Sequence, residues 1–492
     1  MTQRLDTLLF DACGRFADAI ALEDAQGRLS YAQLASAARA IAGDLRALEL
    51  NADEPVLIAV ANEPADVAAF LGVWAAGGAA VPVSRAAPPL AIEATRAATG
   101  ARLMVSGGKA AQLGDHLKPP ARAMLAGAAI VIFTSGSTGA PKGVVLGHDA
   151  FARKLHEIDG VLGFSPRTRA LLVLQITFVF GIWVTLLTLL KGGSLFMCAR
   201  FDPLAVVANL GARAITDAAF VPTMLRRILA ADRTRISSLL DRAALERIHT
   251  GGEPFSPALG RRIRELWPKT TVIDIYGLTE TASSDFFLVT APDQEFAGGL
   301  GGCSKSERFR VADAAGRDVA AGEVGELQIL TPFIMNGYLD QPDLTRAAFC
   351  GGYFRTGDLA RVRPDGTPEL VGRSKDLIVR GGAKISPLEL DGLIAQHPAV
   401  AAALTVGVAD DIAGERIHAL VVPRARHAID EAELRNWVAG RLERYKRPDV
   451  YHFAAELPTG RTGKVDRDAL RQSLVNTILA NKNPGKSSGG NA

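Results

Sequence analysis

An apolar run, Ala129 to Phe133, delivers the chain into Thr134-Ser-Gly-Ser-Thr-Gly-Ala-Pro-Lys142-Gly143. A strand candidate ending in such a loop brings it to an edge where backbone amides are free. Glycine lets main chain approach phosphate oxygens closely, successive N–H groups form an anion-binding nest, and hydroxyls with one ammonium complete a cradle for a polyphosphate. The chemistry indicated is nucleotide handling. A Walker A loop is excluded by spacing, because five residues after Gly136 stands Pro141 rather than glycine.

The sequence before the loop alternates strand and helix signals. Val56 to Ala61 is a short apolar run, Pro64 marks a helix start, Ala65 to Ala76 is apolar at helical spacing, Gly77-Gly78 stops it, and Ala79 to Val83 is a second strand. That is a βαβ unit, and parallel strands with covering helices follow from it. Ala86 to Pro89 and Gly107 to Pro120 read as loops, and Asp149 as the cap of a helix beginning near Ala150. Further on, Phe220-Val-Pro222, Ile248 to Gly252 and Val272 to Tyr276 each end a strand-like run, and ligands collect at such strand ends in α/β sheets.

From Gly298 to Leu330 the pattern turns β-like, and Asp365-Gly366 is a hairpin signal. The fold class expected is α/β. A large N-terminal domain, 1–372, has parallel and mixed sheets, covering helices and a β-rich subdomain; a small, mobile α+β domain, 373–480, follows. In the latter, Pro387 to Ala395 and Glu431 to Leu442 read as helices, Ala401 to Val408 and Ile417 to Val422 as strands. Residues 481–492 are polar and expected to be disordered.

A formal charge of +3 points to neither nucleic acid nor an anionic membrane. Four cysteines without C-x-x-C spacing suggest no disulfide framework or zinc site and fit a reduced, cytoplasmic setting. No export signal is expected, because Met-Thr-Gln-Arg-Leu-Asp is not a basic region followed by an apolar core. Ala170 to Leu190 carries no charge and has the length of a membrane span, about 20 residues, but its Gln175, threonines and Gly181 favour a buried strand, a turn and a buried helix. No integral membrane segment is expected.

The Thr134–Gly143 run resembles the phosphate loop of the adenylate-forming superfamily: acyl-CoA synthetases, aryl-CoA ligases, firefly luciferases and peptide-synthetase adenylation domains. Four further segments are similar, in the same order. They are Tyr276-Gly-Leu-Thr-Glu280, Tyr353-Phe-Arg-Thr-Gly-Asp358, Gly372-Arg-Ser-Lys-Asp376 running into Gly381 to Glu389, and Pro458-Thr-Gly-Arg-Thr-Gly-Lys464. The resemblance spans nearly the whole chain.

It implies ATP, Mg2+ and coenzyme A. Thr134, Ser135, Gly136, Ser137, Thr138, Gly139 and Lys142 would hold the phosphates, Thr279 would assist, and Glu280 would be the magnesium carboxylate. Gly252, Glu253, Tyr276 and Gly277 would frame the nucleotide, Tyr276 packing on adenine, while Asp358 and Arg373 take the ribose. Lys464 would reach the reacting carboxylate and α-phosphate. Lys375 occupies the hinge position, and Gly381 and Gly382 resemble the bare backbone beside pantetheine. Positioning and charge neutralisation would dominate a reaction of this kind.

Phe178, Val179, Phe180, Gly181, Phe220 and Gly251 form the expected acyl pocket. Amino-acid-activating relatives carry aspartate where this chain has Val179, so a substrate ammonium would be left unpaired at a cost of several kcal/mol. Many CoA ligases carry histidine where Phe178 stands. The expected reaction activates an apolar acid, aryl or medium-chain fatty, to its adenylate and transfers it to coenzyme A, releasing AMP. The alternatives are loading of a carrier protein, since both thiols present the same pantetheine arm, and a non-catalytic ligand-binding paralogue. A monomer and a homodimer are both compatible with the sequence.

Overall fold

The structure, a computed structural model, describes residues 3–114, 122–134, 141–231, 236, 239, 244–410, 413–424, 429–460 and 464–482. Two large sheets share one core. The first has nine strands, and six of its neighbours run parallel: Ile20–Glu23, Ser194–Met197, Arg169–Leu172, Asp217–Phe220, Arg247–Gly251 and Thr271–Tyr276. The second has seven strands, with Ala128–Thr134 between Ala79–Ser84 and Lys142–Gly147.

Helices Leu5–Arg15, Tyr31–Ala47, Pro64–Ala76, His148–Leu162 and Val179–Leu190 contribute to this core. Their ends are written in the sequence. Ser30 and Gln33 form a reciprocal capping box, Ser30 Oγ accepting from the Gln33 amide at 3.2 Å and Gln33 Oε1 from the Ser30 amide at 2.8 Å. Pro64 opens its helix, and Gly77 closes it at φ +92°.

The uncharged stretch from Ala170 resolves as expected into a strand, a turn and the buried helix Val179–Leu190. Burying each Leu, Ile or Val there contributes roughly 1.5–3 kcal/mol. Among the described residues no helix is long and apolar enough to cross a membrane.

Strands Arg308–Ala312, Gly325–Leu330, Tyr353–Val362 and Pro368–Arg373 belong to an antiparallel sheet, and the turn at Asp365-Gly366 joins the last two. Beyond Asp376 a five-stranded sheet has its own core around Ile378, Leu390, Ile417 and Leu434.

Four local expectations are corrected. Asp149 does not cap its helix, which begins at His148 after Gly147; its carboxylate instead accepts from the Gln3 amide at 3.0 Å and the Arg153 guanidinium at 2.9 Å. Within the expected loop 107–120, Lys109–Gln112 is a strand paired with Leu103–Ser106, because Gly107 and Gly108 both adopt positive φ and close a tight hairpin. Pro89 likewise starts a helix, Pro89–Thr99, and residues 115–120 lie outside the described residues. Asn481 and Lys482 end the helix Arg467–Lys482; the rest of the expected disordered tail lies outside the described residues.

One buried charge cluster ties the helix His148–Leu162 to the nine-stranded sheet and the antiparallel region. Lys154, 0% exposed, places Nζ 3.0 Å from Asp285 and 2.6 Å from Glu307. Burial disfavours its charge, but the two carboxylates more than offset that and raise its pKa. Lys154→Met strands two buried carboxylates, and the expected loss is about 3–5 kcal/mol. It is read as a lowered urea midpoint of the large unit; an unaltered midpoint would show the cluster is not held by this charge.

Candidate active site

Strand register sets the site. Phe220, Thr250 and Asp274 lie side by side, with Gly251 beside Ile275 one residue further, so the carboxyl ends of three parallel strands form one ledge. The ledge is bare by necessity. A Cβ on Gly251 would lie 2.3 Å from the Ile275 carbonyl oxygen, and one on Gly277 2.0 Å from the Ser284 amide nitrogen.

After Gly277 the chain makes the 3-10 turn Thr279–Thr281 and then three successive non-glycine residues at positive φ: Ala282 at +58°, Ser283 at +75° and Ser284 at +59°. Such conformations persist only where the surroundings over-determine them. Here Thr281 Oγ1 donates to Asp285 at 2.6 Å, and Asp285 is the partner of Lys154. The buried cation thus holds the turn that carries Thr279 and Glu280.

Glu280 Oε1 accepts from the Tyr338 hydroxyl at 2.9 Å. The Lys142 ammonium lies 5.2 Å from the centre of the Tyr338 ring. Thr134 and Lys142 are paired across adjacent strands, while Ser135, Gly136, Ser137, Thr138 and Gly139 lie outside the described residues. Tyr338 was missed from sequence; the available signal was an aromatic after Gly337, whose φ is +150°.

Asp358 is buried and doubly held, accepting from the Tyr276 hydroxyl at 2.6 Å and from Arg373 Nε at 2.9 Å. The Tyr276 ring meets Phe286 edge to face at 5.8 Å. Asp274, on the same strand face as Tyr276, was also missed; burial pushes its carboxyl up to about 8. An acidic residue within Val272-Ile-Asp-Ile was the visible signal.

Lys464 comes from the far end of the chain and lies directly over Gly252. A Cβ at Gly252 would stand 2.4 Å from Lys464 Nζ. Burial lowers the lysine's pKa, Glu253 opposes that and Arg373 adds to it. Glu253 receives the Val465 amide, and also the Thr223 amide at 2.8 Å and hydroxyl at 2.9 Å. Lys464, Gly252 and Glu253 are therefore brought together, with Arg373 close enough to be felt.

Other expected residues sit elsewhere. Lys375 Nζ is 4.0 Å from Asp468. Gly381 and Gly382 form a turn at φ +56° and +82°, with open space where side chains would be. In the acyl region, Phe178 precedes the helix Val179–Leu190, Phe180 stacks on Trp183 at 5.2 Å, and Gly181 passes 2.6 Å from the Gln175 carbonyl oxygen measured from a built Cβ. Phe220 is fully buried.

Residues 9–339 match the AMP-binding enzyme family, and residues 389–464 match the AMP-binding enzyme C-terminal domain. The chain is 30% identical to a feruloyl-CoA synthase from an Amycolatopsis species over 464 residues, 90% of this chain and 94% of that one. It is 34% identical to a sulfoacetate–CoA ligase of Cupriavidus necator over 341 residues, 69% of this chain and 66% of that one. Its fold is similar to ATP-bound MatB from Rhodopseudomonas palustris, with a TM-score of 0.83, 26% identity and coverage of 97% and 100%. The chain belongs to the AMP-binding enzymes, the adenylate-forming group. Within that group it is of the acyl- and aryl-CoA synthetase type.

The contact between Lys464 and Gly252 makes a local prediction. Gly252→Ala collides with the lysine and also strains a residue at φ +79°, so hydrogen exchange at the Val465 amide should quicken at least tenfold. Glu253→Gln leaves that backbone unstrained yet weakens a charge-assisted bond to the same amide, and should quicken exchange less. Unchanged exchange in both variants would show that this loop is held by other contacts.

Proposed function

We propose that the protein condenses a carboxylic acid with ATP to an acyl adenylate and pyrophosphate, then transfers the acyl group to the thiol of coenzyme A with release of AMP. The placement of Lys464 on Gly252, beside the strand ends, carries this reading. An ammonium there neutralises charge that builds as the substrate carboxylate attacks the α-phosphate, and it needs no proton transfer to do so. Asp358, pinned by Tyr276 and Arg373, retains lone pairs for the ribose hydroxyls. Lys142, Thr134 and the intervening loop take the β- and γ-phosphates.

Glu280 suits a magnesium ion. Among the described residues no group of three or more His, Cys, Asp or Glu is placed to hold a metal ion, and a single carboxylate shared with phosphate oxygens is the arrangement this cation favours over an all-protein cage. When bound, the ion offsets phosphate charge. Residues 373–480 would turn at Lys375 for the second step, removing Lys464 and bringing in the Gly381–Gly382 turn, whose empty flanks suit pantetheine.

The acid is apolar, aryl or medium-chain fatty. Phe178, Val179, Phe180, Gly181, Phe220 and Gly251 support this, since none of them offers a charge to a substrate ammonium. Relatives named feruloyl-CoA synthase and indoleacetate–CoA ligase favour the aryl class. Four unpaired cysteines suit a reducing, cytoplasmic compartment.

Mass spectrometry of products from protein, ATP, magnesium and a panel of aryl, fatty and amino acids tests the reading. Acyl-CoA is the expected product; an adenylate that never passes to coenzyme A would make a carrier protein the acceptor. Lys464→Ala should lower carboxylate-dependent pyrophosphate release at least a hundredfold while ATP still binds. Full release from that variant would refute the role given to the lysine.

A further inference from the structure

The helix Pro222–Ala230 follows directly on the strand Asp217–Phe220, so its first turn lies at the ledge. Thr223, in that turn, fixes Glu253 through both its amide and its hydroxyl. Arg226 stands three residues further on, on the same side of the helix. Its Nη1 lies 3.6 Å from Glu253 Oε2 and donates to Thr223 Oγ1 at 3.4 Å. An ion pair of that length on a partly buried side chain contributes little by itself. A second carboxylate changes its meaning.

That carboxylate is Asp391, on the helix Pro387–Ile394 of the small unit. Burial pushes the Arg226 guanidinium below its ordinary range, and the charges of Glu253 and Asp391 both pull it back up. One cation of the large unit thus feels a carboxylate from each unit. Asp391 in turn accepts from Arg467 Nη2 at 2.7 Å and from the Thr405 amide at 2.6 Å. Arg467 lies three residues after Lys464, and Val465, whose amide Glu253 receives, lies next to it.

Two grips on the lysine therefore converge on Arg226: Val465 reaches it through Glu253, and Arg467 through Asp391. A cation at that point offsets the repulsion between two carboxylates brought together where the units meet, which would otherwise oppose the seating of Lys464 over Gly252. We propose that Arg226 is a positioning residue that latches the two units in the arrangement for adenylate formation. A contact made in one of two arrangements favours that arrangement alone. Turning of residues 373–480 for the second step would part Arg226 from Asp391, so the latch opens before acyl transfer. This rests on the two-step ligase reading above and deepens it by naming a residue that sets the balance between the steps.

The test compares the half-reactions of the full chain with the acid that the wild type accepts best. Carboxylate-dependent pyrophosphate release from ATP reads the first, and thioester formation from the preformed acyl adenylate and coenzyme A reads the second. Arg226→Gln keeps much of the length and polarity but removes the charge; it should slow the first step at least tenfold and leave the second unchanged or faster. Arg226→Lys keeps the charge and should recover part of the first step. A purely structural role would lower both steps together. Hydrogen exchange at the Val465 amide reads the latch without turnover, and Arg226→Gln should quicken it at least threefold. Equal effects on the two steps, or exchange unchanged from the wild type, overturn the latch while the ligase reading stands. No pyrophosphate release by the wild type with any acid, aryl, fatty or amino, removes the ligase reading and with it the role given to Arg226.

Discussion

Three glycines let distant pieces of chain meet at one ledge. Gly251 admits the neighbouring strand, Gly277 admits the left-handed turn that follows Tyr276, and Gly252 admits a lysine carried by the other folding unit. A methyl group at any of them would stand within 2.4 Å of an existing atom, closer than any packing adjustment tolerates without moving backbone or displacing the lysine. The site is therefore specified as much by absent side chains as by present ones. The Tyr276–Asp358–Arg373 chain and the Lys464 contact are then aligned on the same ledge.

Much of this was legible in order along the sequence. The strand leading to Thr134, the helix from Pro64 to Gly77 and the hairpin at Asp365-Gly366 are local patterns, and they formed as patterned. What escaped was settled by partners far away in sequence. Lys154 finds Asp285 and Glu307 across 131 and 153 residues, and nothing near Lys154 distinguishes it from a solvated helix lysine. Asp149 had the chemistry of a cap but a better offer from the Gln3 amide, 146 residues away. The site residues belong to both groups: Glu280 stands in a readable motif, whereas Tyr338, which orients it, gains meaning only when its short strand pairs with Val144.

The buried charge around Lys154 connects stability to the site. Desolvating a cation is expensive, and here the expense is offset by two carboxylates, one of which also grips Thr281. A rigid footing of this kind lets the strained residues Ala282 to Ser284 keep a conformation the isolated chain would abandon. Glu307 completes the footing by accepting from Thr331, so the antiparallel region takes part in holding the turn.

Glu253 and the Val465 amide that it receives are 212 residues apart. During synthesis the ledge of Gly251, Gly252 and Gly277 therefore leaves the ribosome long before Lys464, which lies over Gly252. A prematurely ended chain would carry the ledge with nothing laid across Gly252, and Glu253 would lack the Val465 amide as a donor.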